Sequence, residues 1–128
     1  MLQLNLSRNA LCGITTDERG DLQGTYNAEG ITAIADALRV TAELTSLDVG
    51  YNHIYRDEAK QLAAAVLAKP TLEIFTHIPL KELRMGGLTT LDLSGKGLGI
   101  PEAIVLADLL QSVGEALTKS KHILPNST

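Results

Sequence analysis

The chain has 128 residues, enough for one domain with a real core. Apolar residues make up 45% and charged residues 20%, the balance of a folded chain rather than a disordered one. A net charge of −4 with only 3% aromatics argues against nucleic acid as a partner, since such binding needs clustered Lys and Arg and often stacking rings.

In chain order, the first element is an apolar strand in "MLQLNLSRNAL" at 1–11, with Met1, Leu4, Leu6 and Leu11 spaced around Asn9. It lacks the basic start and long apolar run of a signal peptide, so none is expected. Residues 12–27, "CGITTDERGDLQGTYN", are rich in Gly, Asp and Thr and read as an inserted surface loop. The next segment, 28–44, carries Ile31, Ile34, Ala35, Leu38 and Ala42 at helical spacing. "LTSLDVGYNHI" at 44–54 repeats the opening strand pattern, with Leu44, Leu47, Val49, Asn52 and Ile54. Residues 56–69 place Leu62, Ala63, Val66 and Leu67 on one stripe of a second helix, and Pro70 ends it.

A weaker copy of the strand pattern, "KPTLEIFTHIP", occupies 69–79 with Leu72 and Ile74 inward and His77 in the Asn place. The return stretch "HIPLKELRMGG" is too short for a full helix and is expected to cross in extended or 3₁₀ form. Its "LKELRM" offers a competing register. The last copy, "LTTLDLSGKGL", spans 88–98, with Lys96 where the others have Asn. A third helix follows at 101–117, with Pro101 expected at its first position and Glu102 in its first turn. Its apolar residues nearly encircle it, which predicts burial on more than one side. Residues 119–128 form a short polar tail in which Ile123 and Leu124 are candidates to cover an open end.

Four copies of L-x-x-L-x-L-x-x-N-x-L separated by helical spacers constitute an internal repeat. Leu-x-Leu is a short strand whose alternate residues face inward. A buried Asn at the following bend satisfies backbone groups of its own and the neighbouring turn. The second leucines fall at 4, 47, 72 and 91, so the intervals are irregular.

On the residues "LTSLDVGYNHI…DEAKQLAAAVLA" and "LTTLDLSGKGL…EAIVLADLL" the chain resembles the leucine-rich repeats, specifically the ribonuclease-inhibitor-like class. Longer phrases are similar to segments of repeat-only proteins of unicellular eukaryotes. The expected fold is therefore α/β: a short leucine-rich-repeat solenoid, a right-handed β-α superhelix. Parallel strands would line its concave face and helices its convex face, over residues 1–118. Lys96 and His77 in place of Asn depart from the family pattern.

The run "LDLSGKGLG" at 91–99 invites a phosphate-loop reading. A G-x-x-x-x-G-K-[ST] loop needs Gly at 90 and a hydroxyl at 97, and the chain has Thr90 and Gly97. The glycines read instead as a tight, left-handed turn beyond a strand. His53, His77, His122 and Cys12 have no metal-ligand spacing, and Asp17, Glu18 and Asp21 do not match a calcium loop. No nucleophile stands in a recognisable context. The expectation is no enzyme, no cofactor and no metal.

The candidate site is the concave strand face. Asn5, Asp48, Glu73 and Asp92 lie between inward positions of the four copies. With strands ~4.8 Å apart they would form an acidic row that attracts a basic protein partner. Tyr51 and Phe75 are the candidate apolar anchors. The expected function is a non-enzymatic protein–protein interaction module. The alternative is a structural subunit, or a piece of a larger assembly, held or self-associating through open solenoid ends. An enzyme using 12–27 as a lid is a third reading, with Asp17 and Asp21 its only candidates. A single cysteine excludes an internal disulfide and fits a reducing compartment, so the expected location is intracellular and cytoplasmic, with no membrane span.

Overall fold

A computed structural model describes residues 1–122. The element order is β1 (Leu2–Asn5), β2 (Ile14–Thr16), β3 (Leu22–Gly24), α1 (Glu29–Leu38), β4 (Leu44–Asp48), α2 (Arg56–Leu67), β5 (Ile74–Phe75), α3 (Leu80–Met85) and α4 (Ile100–His122). The protein is a mixed α/β structure with a small three-stranded parallel sheet, ordered β1-β4-β5. β1 and β4 pair with Leu4 opposite Leu47 and Asn5 opposite Asp48, as the repeat spacing predicts. Helix α2 packs between α1 and α4.

The inward row explains the pairing. Leu44, Leu47 and Val49 are buried and join Leu62, Val66, Ile31 and Val105 in one apolar core. Such burial is the main favourable term in folding. α1 stops at Leu38, short of the predicted span to 44, and Thr41 Oγ1 donates to the Ala37 carbonyl just beyond it. The buried Lys69 adds to this junction, its Nζ donating to the Thr41 carbonyl.

The 12–27 insertion is more ordered than a loop. It forms an antiparallel hairpin of β2 and β3, with Ile14 opposite Gly24. Asp17 organises the tip, its Oδ1 accepting the N–H groups of Arg19 and Asp21 at 2.9 Å each. At the base only Gly fits at 24, where φ is +102° and a Cβ would sit 2.0 Å from the Gly13 carbonyl oxygen. Cys12 is fully buried there, and Tyr26 stacks on Tyr55 at 5.5 Å.

Two strand expectations are corrected. Residues 88–93 form no strand; the sheet place beside β4 is taken by β5. The copy at 69–79 also pairs in a different register from the one its leucines indicate. Phe75, not Leu72, lies opposite Leu47. Phe75 is the larger side chain and fills that inner row completely, with no exposure. The stretch after it is neither extended nor 3₁₀. Thr76 and His77 take positive φ values of 43° and 68°, and the chain turns back into the short helix α3. Leu80 and Leu83, one helical turn apart, bury into the core, and Gly86 in the left-handed conformation ends the helix.

α4 begins at Ile100, so Pro101 is its second residue rather than its first. Its burial is one-sided in the first turns: Val105 and Leu109 are buried while Leu110 is 53% exposed. The segment expected to be a tail from 119 continues the helix as far as His122. Ile123 and Leu124 lie outside the described residues. Among the described residues no helix is long and apolar enough to cross a membrane.

Candidate functional site

Three turns carry the site, and each is built the same way. Asn5 Oδ1 accepts from Ser7 N at 2.9 Å, Asp48 Oδ1 from Gly50 N at 2.9 Å and Asp92 Oδ1 from Ser94 N at 2.9 Å. An Asx side chain thus closes each turn two residues on. Three residues past it, φ is positive at Arg8 (58°), Tyr51 (59°) and Gly95 (66°). Five residues past it, φ is positive again at Ala10 (51°), His53 (53°) and Gly97 (73°). The glycines of "LDLSGKGLG" therefore stand where the other two copies place side-chain-bearing residues in the left-handed region. They are turn residues, and the phosphate-loop resemblance has no structural basis.

Asn52 binds the first two turns together. Its Oδ1 accepts from Asn9 N at 2.9 Å and Leu11 N at 3.1 Å. Its Nδ2 lies within bonding distance of the carbonyls of Leu6, Val49 and Gly50. The residue is 2% exposed, so these backbone groups have little access to water. Lys96, at the matching place in the third turn, is exposed, and the ladder stops there. His77 is not a substitute for Asn, because the β4–β5 register places it opposite the stretch after Leu47 rather than at the bend.

The third turn docks through an aromatic ring instead. Tyr51 packs so tightly on Gly97 that a Cβ there would meet the ring at 2.1 Å. Its hydroxyl lies 3.4 Å from the Gly95 carbonyl oxygen. The Arg8 guanidinium covers the ring, 3.9 Å from its centroid, a favourable cation–π arrangement. Arg8, Tyr51 and the third turn thus form a stack across the three turns.

A cavity of about 320 Å³ opens beside this stack, lined by Asn5, Ser7, Arg8, Asp48, Tyr51, His77, Gly95 and Lys96. Three of the residues named from the sequence, Asn5, Asp48 and Tyr51, meet there. The other three do not. Phe75 is wholly buried in the core and is no surface anchor. Glu73 lies three residues out of the expected register, its N–H bonded to the Thr45 carbonyl, so it stands away from Asp48. Asp92 closes its own turn and does not line the cavity. The expected row of three carboxylates is therefore not formed.

Position 76 takes Glu73's intended place beside Asp48. Thr76 is buried, and its Oγ1 accepts the Val49 N–H at 3.0 Å. Asp48 faces a histidine, with Oδ2 3.4 Å from His77 Nε2. Arg8, His77 and Lys96 were not singled out together from the sequence. The recurring offset of three residues from Asn5, Asp48 and Asp92 was the signal that aligns Arg8 with Tyr51 and Gly95.

Three ionisable groups outside this cavity are shifted. Burial pushes the Cys12 thiol above its ordinary value, against a lowering hydrogen bond with Tyr26. Burial likewise raises the Tyr26 phenol. On the surface, hydrogen bonds from Ser94 hold the Asp92 carboxyl below the usual carboxylate range. His53 is a turn residue at positive φ, and its Nδ1 is 3.1 Å from the Tyr55 hydroxyl. No protein family, curated protein or solved structure matches the chain.

Proposed function

We propose that the chain is a non-enzymatic protein-interaction module, a short solenoid of the leucine-rich-repeat type that takes a partner segment against its strand-and-turn face. The observation that carries this reading is the cavity assembled from three separate turns around an exposed ring. Tyr51 is 44% exposed beside Arg8, Asp48, His77 and Lys96. Exposed aromatics flanked by Arg are typical anchors of protein interfaces. Extended strands with free side chains on one face suit a peptide or a loop of a partner. The recurrence of one turn geometry in three copies supports the repeat reading, and β1-β4-β5 supplies the parallel strands.

The expectation of a basic partner rested on three carboxylates in a row. With Glu73 out of register, the cavity is lined by two cations, Arg8 and Lys96, and by one carboxylate, Asp48, whose Oδ2 lies 3.4 Å from His77 Nε2. The partner segment is accordingly assigned a carboxylate that meets these two cations, with an apolar neighbour against Tyr51. The test is selection of peptides from a random displayed library on the immobilised protein, followed by amide chemical-shift mapping. Acidic peptides that shift Arg8, Tyr51, His77 and Lys96 are expected. Arg8→Ala with Lys96→Ala should then weaken binding at unchanged melting temperature. Peptides that bind elsewhere, or indifference to the double substitution, would sink the reading.

A second reading is a structural piece held through its open sheet edge. Leu2 and Leu4 are 46% and 38% exposed, while their counterparts Leu44 and Leu47 are buried. A neighbouring layer would cover them.

A further inference from the structure

Glu102 is 2% exposed, and its Oε2 has no hydrogen-bond partner among the described residues. Its other oxygen is committed: Oε1 accepts the Gly99 N–H at 2.8 Å, closing the first turn of α4. Buried carboxylate oxygens are nearly always partnered, so an orphan calls for an explanation. Glu102 also lines a second cavity, of about 250 Å³, between the Asn52 turn and the start of α4. The remaining walls are largely apolar or aromatic, among them Val49, Ile54, Tyr55, Leu98 and Ile100. Such a volume exceeds the ~30 Å³ share of one water molecule.

We propose that this cavity binds an alkylammonium group, with Glu102 Oε2 as its counter-charge. A carboxylate in apolar surroundings gains most from a cation that brings its own donors. The rings of Tyr51 and Tyr55 and the apolar wall suit the methylene stem of such a ligand. A guanidinium fits less well. Its fork pairs with two carboxylate oxygens, and only one is free here. A metal ion fits no better, because the described residues contain no group of three ligands able to hold one. Ile100, 44% exposed, lines the cavity, and because Oε2 itself is buried, lining side chains must shift before an ammonium reaches it.

The amine is either a free alkylamine or the lysine side chain of a partner. Only the second source rests on the interaction reading given above. The cavity is separate from the one proposed for the acidic segment, although Tyr51 lines both.

The experiment is an NMR titration of the whole chain at neutral pH with butylammonium chloride, following Glu102 Cδ and the amides of His53, Tyr55 and Gly99. Saturable shifts are expected with butylammonium and not with butanol or sodium chloride. Glu102→Gln keeps an oxygen for the Gly99 N–H and should weaken the response by about tenfold or more. If that variant fails to fold, the Glu102 Cδ response of the wild-type chain to the same three probes decides. Equal response to butanol, a guanidinium salt that binds as well, or no response to butylammonium would overturn the proposal. A lysine-containing peptide that binds more tightly than butylammonium would identify a partner's lysine as the source. Equal affinity would point to a free amine. Failure of the acidic-peptide selection would leave these outcomes unaffected, since Glu102 lies outside the first cavity.

Discussion

Asn52 joins two turns with one side chain, accepting from Asn9 and Leu11 and reaching the Leu6, Val49 and Gly50 carbonyls. Asn52→Ala leaves several buried backbone groups unpaired, each costing about 1–3 kcal/mol. A loss of roughly 3 kcal/mol or more in urea-unfolding stability is expected. An unchanged midpoint would show that water replaces the side chain. The two turn glycines should differ. Gly95 has nothing within 4 Å of an added Cβ, so Gly95→Ala should cost only the left-handed backbone penalty, about 1–2 kcal/mol. At Gly97 the same change also drives Tyr51 off the turn. Gly97→Ala should therefore alter Tyr51 fluorescence and disturb Arg8 resonances, and Gly95→Ala should do neither.

Cys12 and Tyr26 carry a pH prediction. Both have folded-state values raised by burial. The stability they contribute is complete below the ordinary thiol value of 9.0 and is lost as pH rises through their folded values. Thermal melts should fall on the alkaline side of that value, and Cys12→Ser should reduce the alkaline slope. A slope unchanged by that substitution would refute a Cys12 contribution. The depressed Asp92 carboxyl works in the opposite sense: its contribution is present above the ordinary carboxylate range and is lost on acidification.

At the scale of elements, β5 is two residues long yet decides the layout of the last third of the chain. Phe75 fills the inner row beside Leu47, and Thr76 then accepts the Val49 N–H through its hydroxyl. A side chain thus stands in for a strand carbonyl at the point where the chain turns away. Thr76→Val keeps the volume but leaves that N–H unpaired, for an expected loss of about 1–3 kcal/mol. Thr76→Ser should retain most of it, and equal loss in both variants would show that packing rather than the bond matters.

The helical stripes of α1 and α2 and the pairing of Leu4 with Leu47 were legible because each depends on local spacing. Register at 69–79 was not, because Leu72 and Phe75 are both large, both apolar and three residues apart. Competition for one inner row chose between them. Among candidate site residues, Asn5, Asp48 and Tyr51 were legible from the repeat. Arg8 and Lys96 were not, since nothing local shows that one turn's cation covers the next turn's ring.

At the scale of the whole molecule, β1 is an edge strand with its inward leucines half uncovered. Edges without charge or proline are prone to pair with another chain. Sedimentation across a concentration series should show self-association that Leu2→Lys or Leu4→Lys reduces without lowering the monomer's melting temperature. A monomer at all concentrations would favour the interaction reading over the assembly-piece reading.

What the sequence determined by itself was the succession of β1, α1, β4 and α2, the equivalence of the turns after Asn5, Asp48 and Asp92, and the structural nature of the glycine run. These follow from periodicity and from backbone conformations that each short segment carries with it. Only the tertiary structure decided that 88–93 is no strand, that Phe75 is core rather than surface, and that Glu73 stands apart from Asp48. The physical reason is that β4, already paired with β1, has one free edge, and the outer side of β5 is closed by its own chain, with the Phe75 N–H bonded to the Ile78 carbonyl. Once Phe75 filled the inner row and β5 paired with β4, the last copy was left to dock through Tyr51 and its two glycines.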